Sequence, residues 1–349
     1  MDAGVLLLNF GEPPQPDRDR VVKYLERIFF SNAELDGEGS EEAARDRARS
    51  LAERRAPGLI EEYEEIGGSP LNRQADKQAD RLEAAAAERG YDIETYVGMQ
   101  FTDPLIESAA HRMAEDDIEH VIALPIYPLC GPSTTVAALD DFEAAVDAID
   151  GWEPTLDEVT GWHRHPTYNR LRSEAIAAHC EDLGVALEDD DTMLVFSAHG
   201  TPTHYLEGGS RYDEYVTEYC ETIAALLGVE VYEIGYQNHE NRDIEWTEPE
   251  IEELVESLDV DRIVVDPISF VHEQSETLSE LDIELREEAT SAGLEFSRVP
   301  IPHDDPRFGE VFLDVIEPFL RSFDPEYYRL GQCVCRDRPG TVCLNAPNQ

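Results

Sequence analysis

The sequence predicts an α/β protein made of two similar lobes, each a parallel sheet flanked by helices. Two observations carry this. Short apolar runs bounded by turn residues alternate with helical stretches along the chain, the pattern left by parallel strands joined through crossover helices. The two halves also echo each other. "LLLNFGEP" (6–13) returns as "LVFSAHGTP" (194–202), "YVGMQF" (96–101) as "EIGYQN" (233–238), and "ALPIYPL" (123–129) as "VDPISFV" (265–271). Both lobes therefore read as Rossmann-like, with functional loops at the carboxyl ends of the strands and a cleft between the lobes.

Each element has a local reason. "GVLLLNF" (4–10) is an unbroken apolar run closed by Gly11 and Pro13, as expected of a strand buried on both faces. The segment that follows, about residues 12–66, has no counterpart in the second half. It contains "DRVVKYLERIFF" (19–30) and "GLIEEYEEIGG" (58–68), both helical in pattern, and is expected to cover the cleft as a lid. "ADKQADRLEAAAAERG" (75–90) is alanine-rich and ends in glycine, as helices do. Strands at 92–100 and 120–127 complete the first half. In the second half strands are expected at 192–198, 229–237 and 262–270, with a helix over 212–228. The join near 150–190, with "DGWEP" and the acidic run Glu188 to Asp191, marks the boundary between lobes. The predicted units are residues 1–150, which include the lid at 12–66, then 151–325, and a cysteine-containing tail over 326–349.

Charge is the extreme feature. There are 77 Asp and Glu against 27 Lys and Arg, a net charge of −50, and Lys23 and Lys77 are the two lysines. The acid is spread along the whole chain rather than gathered for one basic partner. Such a spread fits a halophilic protein, since molar salt shortens electrostatic reach to about 3 Å. With no basic stripe, nucleic acid is excluded as a partner. No run approaches the roughly 20 apolar residues of a transmembrane segment. The first residues lack the basic segment of a signal peptide, so the expected location is the cytoplasm.

Two stretches carry chemistry. His199 stands at the tip of an apolar strand, in a loop of small residues, "SAHGTP" (197–202). Histidine is the side chain poised to exchange a proton near neutral pH. "DPISFVHEQSETLSELDIELREEA" (266–289) ends a strand and then places Glu276, Glu280, Glu284 and Glu288 at four-residue spacing on one helix face. Like charges so spaced destabilise an α-helix, and a π-type widening, a feature that favours functional sites, would bring them closer to alignment. Glu276 lies just past its strand end, at the same mouth as His199.

In order along residues 4–320, "LLLNFGEP", "IGGSPLNRQ" (66–74), "YPLCGPSTT" (127–135), "FSAHGTP" (196–202) and "FVHEQSETLSELDIE" (270–284) resemble the ferrochelatase family. The resemblance implies the two-lobed chelatase fold and a lyase of haem and porphyrin biosynthesis. Its reaction would insert Fe(2+) into protoporphyrin IX or coproporphyrin III, bound in the cleft. By resemblance His199 and Glu276 are the catalytic and metal-handling pair, and Glu280, Glu284 and Glu288 continue as a carboxylate path for protons or a second cation. Phe10, Tyr63, Ser69, Tyr127, Ser133, Thr134 and Trp246 fall in or beside motif positions and are the expected substrate contacts. The chemistry agrees independently. Two pyrrole protons must leave as the metal enters, so a proton acceptor is required, and an imidazole with a carboxylate suits ferrous iron. The porphyrin is the expected partner, together with transient contact with other haem-pathway enzymes. The chain departs from the family in two places. Gln274 stands where a histidine usually precedes the glutamate, and "QNHENRDIEW" (237–246) is one residue longer than the family pattern, bringing His239 and Arg242 into the pocket.

Three of the six cysteines crowd the end of the chain in "CVCRDRPGTVC", as Cys333, Cys335 and Cys343. With one more thiol they form the donor set of a [2Fe–2S] cluster or of a four-thiolate zinc site. Some ferrochelatases carry such a cluster on a C-terminal extension, and by that resemblance Cys130 is the fourth ligand. Two other functions stay open. One is a related chelatase that inserts iron or cobalt into sirohydrochlorin, against which Glu276 speaks, because those relatives use paired histidines. The other is a non-catalytic haem-binding or iron–sulphur sensor protein.

Overall fold

The structure is a computed structural model describing residues 2–35, 40–239, 244–321, 330–336 and 338–345. Arg242 lies outside the described residues. The first half runs β1 (Ala3–Asn9), α1 (Arg18–Leu35), α2 (Glu41–Ile66), α3 (Leu71–Glu88), β2 (Ile93–Met99), α4 (Ile106–Glu115) and β3 (His120–Pro125). A π-helix, π1 (Pro132–Val136), then leads into α5 (Ala137–Asp147), β4 (Thr155–Thr160) and α6 (Pro166–Leu183). The second half runs β5 (Thr192–His199), α7 (Thr203–Glu207), α8 (Tyr212–Leu227), β6 (Tyr232–Gln237), α9 (Ile251–Ser257) and β7 (Arg262–Pro267). A second π-helix, π2 (Glu276–Leu285), continues into α10 (Arg286–Ser291), followed by β8 (Glu295–Arg298) and α11 (Arg307–Leu320). The tail contributes β9 (Gly331–Gln332) and β10 (Thr341–Cys343).

The echo between halves is structural. The first sheet has the order β2-β1-β3-β4-β10-β9 and the second β6-β5-β7-β8, so four parallel strands repeat with the same neighbours. β1 is buried along its whole length, which explains its unbroken apolar run. In the second sheet His199 is in register with Gln237, so the carboxyl ends of β5 and β6 meet at one point.

Three features differ from the sequence expectation. β4 belongs to the first sheet, which therefore continues past residue 150, and its polar sequence "TLDEVT" hid it. Buried Glu158 on β4 is neutralised by Arg336 of the tail, with Nε 2.9 Å from Oε2. Next, the tail is not separate from the lobes, because β10 pairs parallel with β4 and carries β9 antiparallel on its far side. Finally, α11 returns to pack on α3 and α6, and one apolar core draws residues from both halves. The lobes thus share a core through α6 and α11.

The lid is a helical pair. Ser40 caps α2, and Ala44, Ala48, Ala52 and Ala56 form a buried stripe of small side chains. α1 packs closely against α2. Gly67, at φ +77°, closes α2 in the left-handed conformation. The chain then turns through Gly68, at φ +85°, where a Cβ would lie 2.3 Å from the Pro14 carbonyl oxygen. That close approach sets the base of the lid against the loop after β1.

Candidate active site

His199 is fixed by its own loop. Its Nδ1 lies 2.7 Å from the Gly200 carbonyl oxygen, which can only accept, so Nδ1 carries the proton and Nε2 the lone pair. Ser269 accepts its backbone N–H at 3.0 Å, and Tyr212 donates to its carbonyl at 2.9 Å. Gly200 has no alternative. A Cβ there would sit 1.8 Å from Asn238 Oδ1. The His239 ring stands edge-on to His199, with centroids 5.2 Å apart, and Trp246 stands edge-on to His239 at 5.4 Å.

The glutamate row begins where π2 begins. Glu276 Oε2 accepts from Gln274 Nε2 at 2.9 Å and lies 3.0 Å from Ser275 Oγ. Gln274 thus directly supports the glutamate, in the place where the family pattern has histidine. Gln237, buried at the end of β6, uses both amide hydrogens on π2. One goes to the Glu276 carbonyl at 3.0 Å and one to Glu280 Oε2 at 2.8 Å, while its oxygen accepts from Ser197. Burial, and then the Glu276 charge, push the Glu280 carboxyl up to about 8. A π turn holds more residues than an α turn. Four-residue steps therefore fall short of a full turn in π2 and overshoot it in α10, and the opposing drifts keep the row on one side. Beyond it lies a surface depression of about 570 Å³ lined by Glu256, Glu287, Glu288, Ser291 and Ala292.

A second carboxyl faces the start of this row. Glu12, in the loop after β1, is 1% exposed. Its Oε1 accepts from Tyr63 at 3.1 Å and from Ser275 Oγ, its Oε2 accepts the Ser275 backbone N–H at 3.1 Å, and Ser69 also bonds to it. Burial foremost, then the Glu276 charge, raise its carboxyl to about 7. Tyr24 and Tyr63 face both carboxyls, Tyr127 faces Glu276 and Asp141, and burial with those charges pushes all three phenols up.

The expected substrate residues divide into two groups. Phe10 packs edge-on against Tyr24 and Phe101 in the lid core, and Tyr63 is fully buried there with its hydroxyl on Glu12. Ser69 is buried beside Glu12. Ser133 is exposed and Thr134 partly exposed on π1, Tyr127 reaches toward Gln100, and Trp246 bridges to Pro202 near His199. Sequence reasoning missed Glu12, Tyr24, Gln237 and Ser275. The signal for Gln237 was its place in the echoed strand ends, opposite Gln100. Glu12 carried a weaker one, as an acid inside a strand-end turn whose counterpart in the other half is Thr201.

The four candidate thiols converge where the tail meets the loop after β3. The sulfurs of Cys130, Cys333 and Cys335 lie within 4.8 Å of one another. Cys343 bonds to Cys333 as well. Hydrogen bonds from Cys130, Cys335 and Cys343 favour a thiolate at Cys333 and push the other sulfurs' protons on more firmly. Cys180 and Cys220 are buried on helices elsewhere, as core residues.

Comparison with known proteins gives the family and the fold. A family profile described as Ferrochelatase matches residues 2–319. A ferrochelatase of Synechococcus sp. (strain RCC307) is 33% identical over 325 residues, covering 91% of this chain and 82% of its own. One from Synechococcus sp. (strain JA-3-3Ab) is 32% identical over 334 residues, covering 93% and 96%. Among solved structures, CbiX, the terminal enzyme for siroheme biosynthesis in denitrifying bacteria, aligns over 90% of this chain and 98% of its own. The TM-score is 0.52 at 14% identity. SirB from Bacillus subtilis with Fe3+ aligns over 91% and 95%, with a TM-score of 0.51 at 12% identity. At those identities the likeness is one of fold.

Proposed function

The chain belongs to the ferrochelatase family, and from that premise we propose how its residues divide the work of metal insertion. The reaction places ferrous iron, a substrate, into a porphyrin for haem synthesis: two pyrrole N–H bonds break, their protons leave to a base, and iron binds all four nitrogens. His199 takes the first proton. The observation that carries this is the Nδ1–H committed to Gly200, which leaves Nε2 as a base of fixed tautomer. Glu276 accepts beside it, oriented by Gln274 and Ser275. Glu280, largely protonated near neutral pH, passes protons along the row toward the acidic depression, which also concentrates incoming cations. Ser133, Thr134, Tyr127 and Trp246 are the porphyrin contacts, with Phe10, Tyr63 and Ser69 supporting the lid edge. The cytoplasm is the proposed compartment.

The four thiols Cys130, Cys333, Cys335 and Cys343 would hold a [2Fe–2S] cluster, because the donor set is all sulfur, three of the sulfurs lie within 4.8 Å of one another and Cys343 bonds to Cys333. Such a cluster supplies a covalent tie between the tail and the loop after β3, and no step of the insertion needs its electron. Anaerobically purified protein should show iron and acid-labile sulfide in equal amounts, whereas stoichiometric zinc would replace this reading with the four-thiolate site.

The function is tested by the loss of free-porphyrin fluorescence with ferrous iron at high salt, run in parallel on protoporphyrin IX and coproporphyrin III. Turnover of one that falls by about 100-fold or more in Glu276→Gln supports the assignment and names the substrate. Failure on both sinks it. A sirohydrochlorin arm belongs in the assay, because His239 beside His199 supplies a second imidazole at the mouth.

A further inference from the structure

Glu12 is a carboxylate buried without an evident structural reason. A surface acid costs nothing, but one with 1% exposure loses its hydration and must be held by donors. The chain is shaped to put it there. Gly11 turns at φ +78°, where a Cβ would lie 2.4 Å from Thr102 Oγ1, and the Glu12 backbone N–H is received by Asn72 Oδ1 at 3.0 Å. The donors that hold its side chain come from two distant parts of the protein. Tyr63 belongs to the lid helix α2, and Ser275 to the turn that opens π2 in the second half, 263 residues along the chain.

Ser275 is gripped twice, through its amide on Oε2 and its hydroxyl on Oε1, and the same hydroxyl lies 3.0 Å from Glu276 Oε2. Gln274, on the other side, makes a single side-chain bond to that same Glu276 oxygen. One amide on a flexible stem orients a carboxyl weakly, whereas two bonds to the neighbouring residue fix the backbone from which it projects.

We infer that Glu12 is a positioning residue for Glu276: it clamps Ser275 at both amide and hydroxyl, fixing the first turn of π2, and through Tyr63 it ties that turn to the lid. This rests on Glu276 being the working carboxylate. Glu12 acts through Ser275 and touches no reacting atom. Its effect falls on the turnover step, because the direction of the Glu276 carboxyl matters most when the proton moves.

The test uses the full chain at high salt, with Glu12→Ala, Glu12→Gln and Ser275→Ala in the wild-type and Glu276→Gln backgrounds. Glu12→Ala should lower kcat by about 10- to 100-fold, with porphyrin KM changed less than about 3-fold. Glu12→Gln keeps an oxygen for the Ser275 amide and should recover most of that loss. In the Glu276→Gln background Glu12→Ala should cost less than about 2-fold more, since the group it positions has gone. Wild-type kcat in Glu12→Ala, a pure KM effect, or independent multiplication of the two losses would overturn the inference. Amide exchange gives a readout that needs no turnover: Glu12→Ala should speed exchange in residues 274–279 and leave β2 unchanged. Unchanged exchange at 274–279 overturns the clamp. If wild type turns over no porphyrin, the function fails, yet the exchange result still decides the clamp. Should Glu12→Ala not fold, Ser275→Ala carries the same comparisons, with Glu12→Gln as the conservative control.

Discussion

At the scale of single residues, the active site is a set of acids held where acids are costly. Glu280 is the clearest case, its carboxyl raised from 4.5 to about 8 by burial and by Glu276. A folded-state value above the unfolded one means stability that is complete below about 4.5 and is lost as pH rises through about 8. Glu280→Gln removes that dependence, since an amide still accepts from Gln237. The variant should therefore gain on wild type by up to about 4 kcal/mol between pH 4.5 and 8, with no further gain above. Denaturant titrations at four pH values measure this, and a difference independent of pH would refute it. Gly200→Ala makes a second test. The Cβ would lie 2.9 Å from the Gln237 carbonyl oxygen, a backbone atom that cannot swing aside as the Asn238 side chain can, so the His199 loop must move, and activity should fall by about 100-fold with the core intact. The glutamate row could be read from its four-residue spacing, and His199 from its place at the end of an apolar strand among small residues. Glu12 and Ser275 were not, because their partnership joins residues 263 apart and no local pattern records it.

At the scale of elements, apolar strands were legible and polar ones were not. β1, β3, β5 and β7 are runs of buried aliphatic residues, while β4 carries Asp157 and Glu158 and reads as a loop. What makes β4 a strand is supplied from elsewhere. β3 pairs on one side and β10 on the other, with Arg336 and Thr341 on the Glu158 carboxylate. Such a buried charge depends on its partner. Arg336→Met should destabilise the fold by about 3 kcal/mol, as the buried Glu158 keeps only the Thr341 hydroxyl and Arg338 at 3.6 Å, and Glu158→Gln in the same chain should restore part of it. Thermal melts of the two variants check this, and a neutral Arg336→Met would show that the tail is not docked on β4. The lid was legible as helices, but its orientation was not. Tyr63 turns inward to Glu12, which only the packing of α2 on the loop after β1 decides.

At the scale of the whole molecule, the two lobes follow one strand order and place their working loops at the same sheet ends, as the echo of the halves foretold. The acidic surface is a condition on that fold. A net charge of −50 repels itself across about 10 Å at 0.1 M salt and about 3 Å at 1 M. The melting temperature should rise steeply from 0.1 to 2 M KCl, and a flat response would remove the halophilic reading. No described helix is long and apolar enough to cross a bilayer. In the proposed reaction one imidazole, locked by Gly200, receives the pyrrole proton. The most direct test is iron insertion by His199→Ala beside wild type, at high salt and with the preferred porphyrin. A loss of about 100-fold or more with porphyrin binding retained is the predicted result, and turnover at the wild-type rate would contradict it.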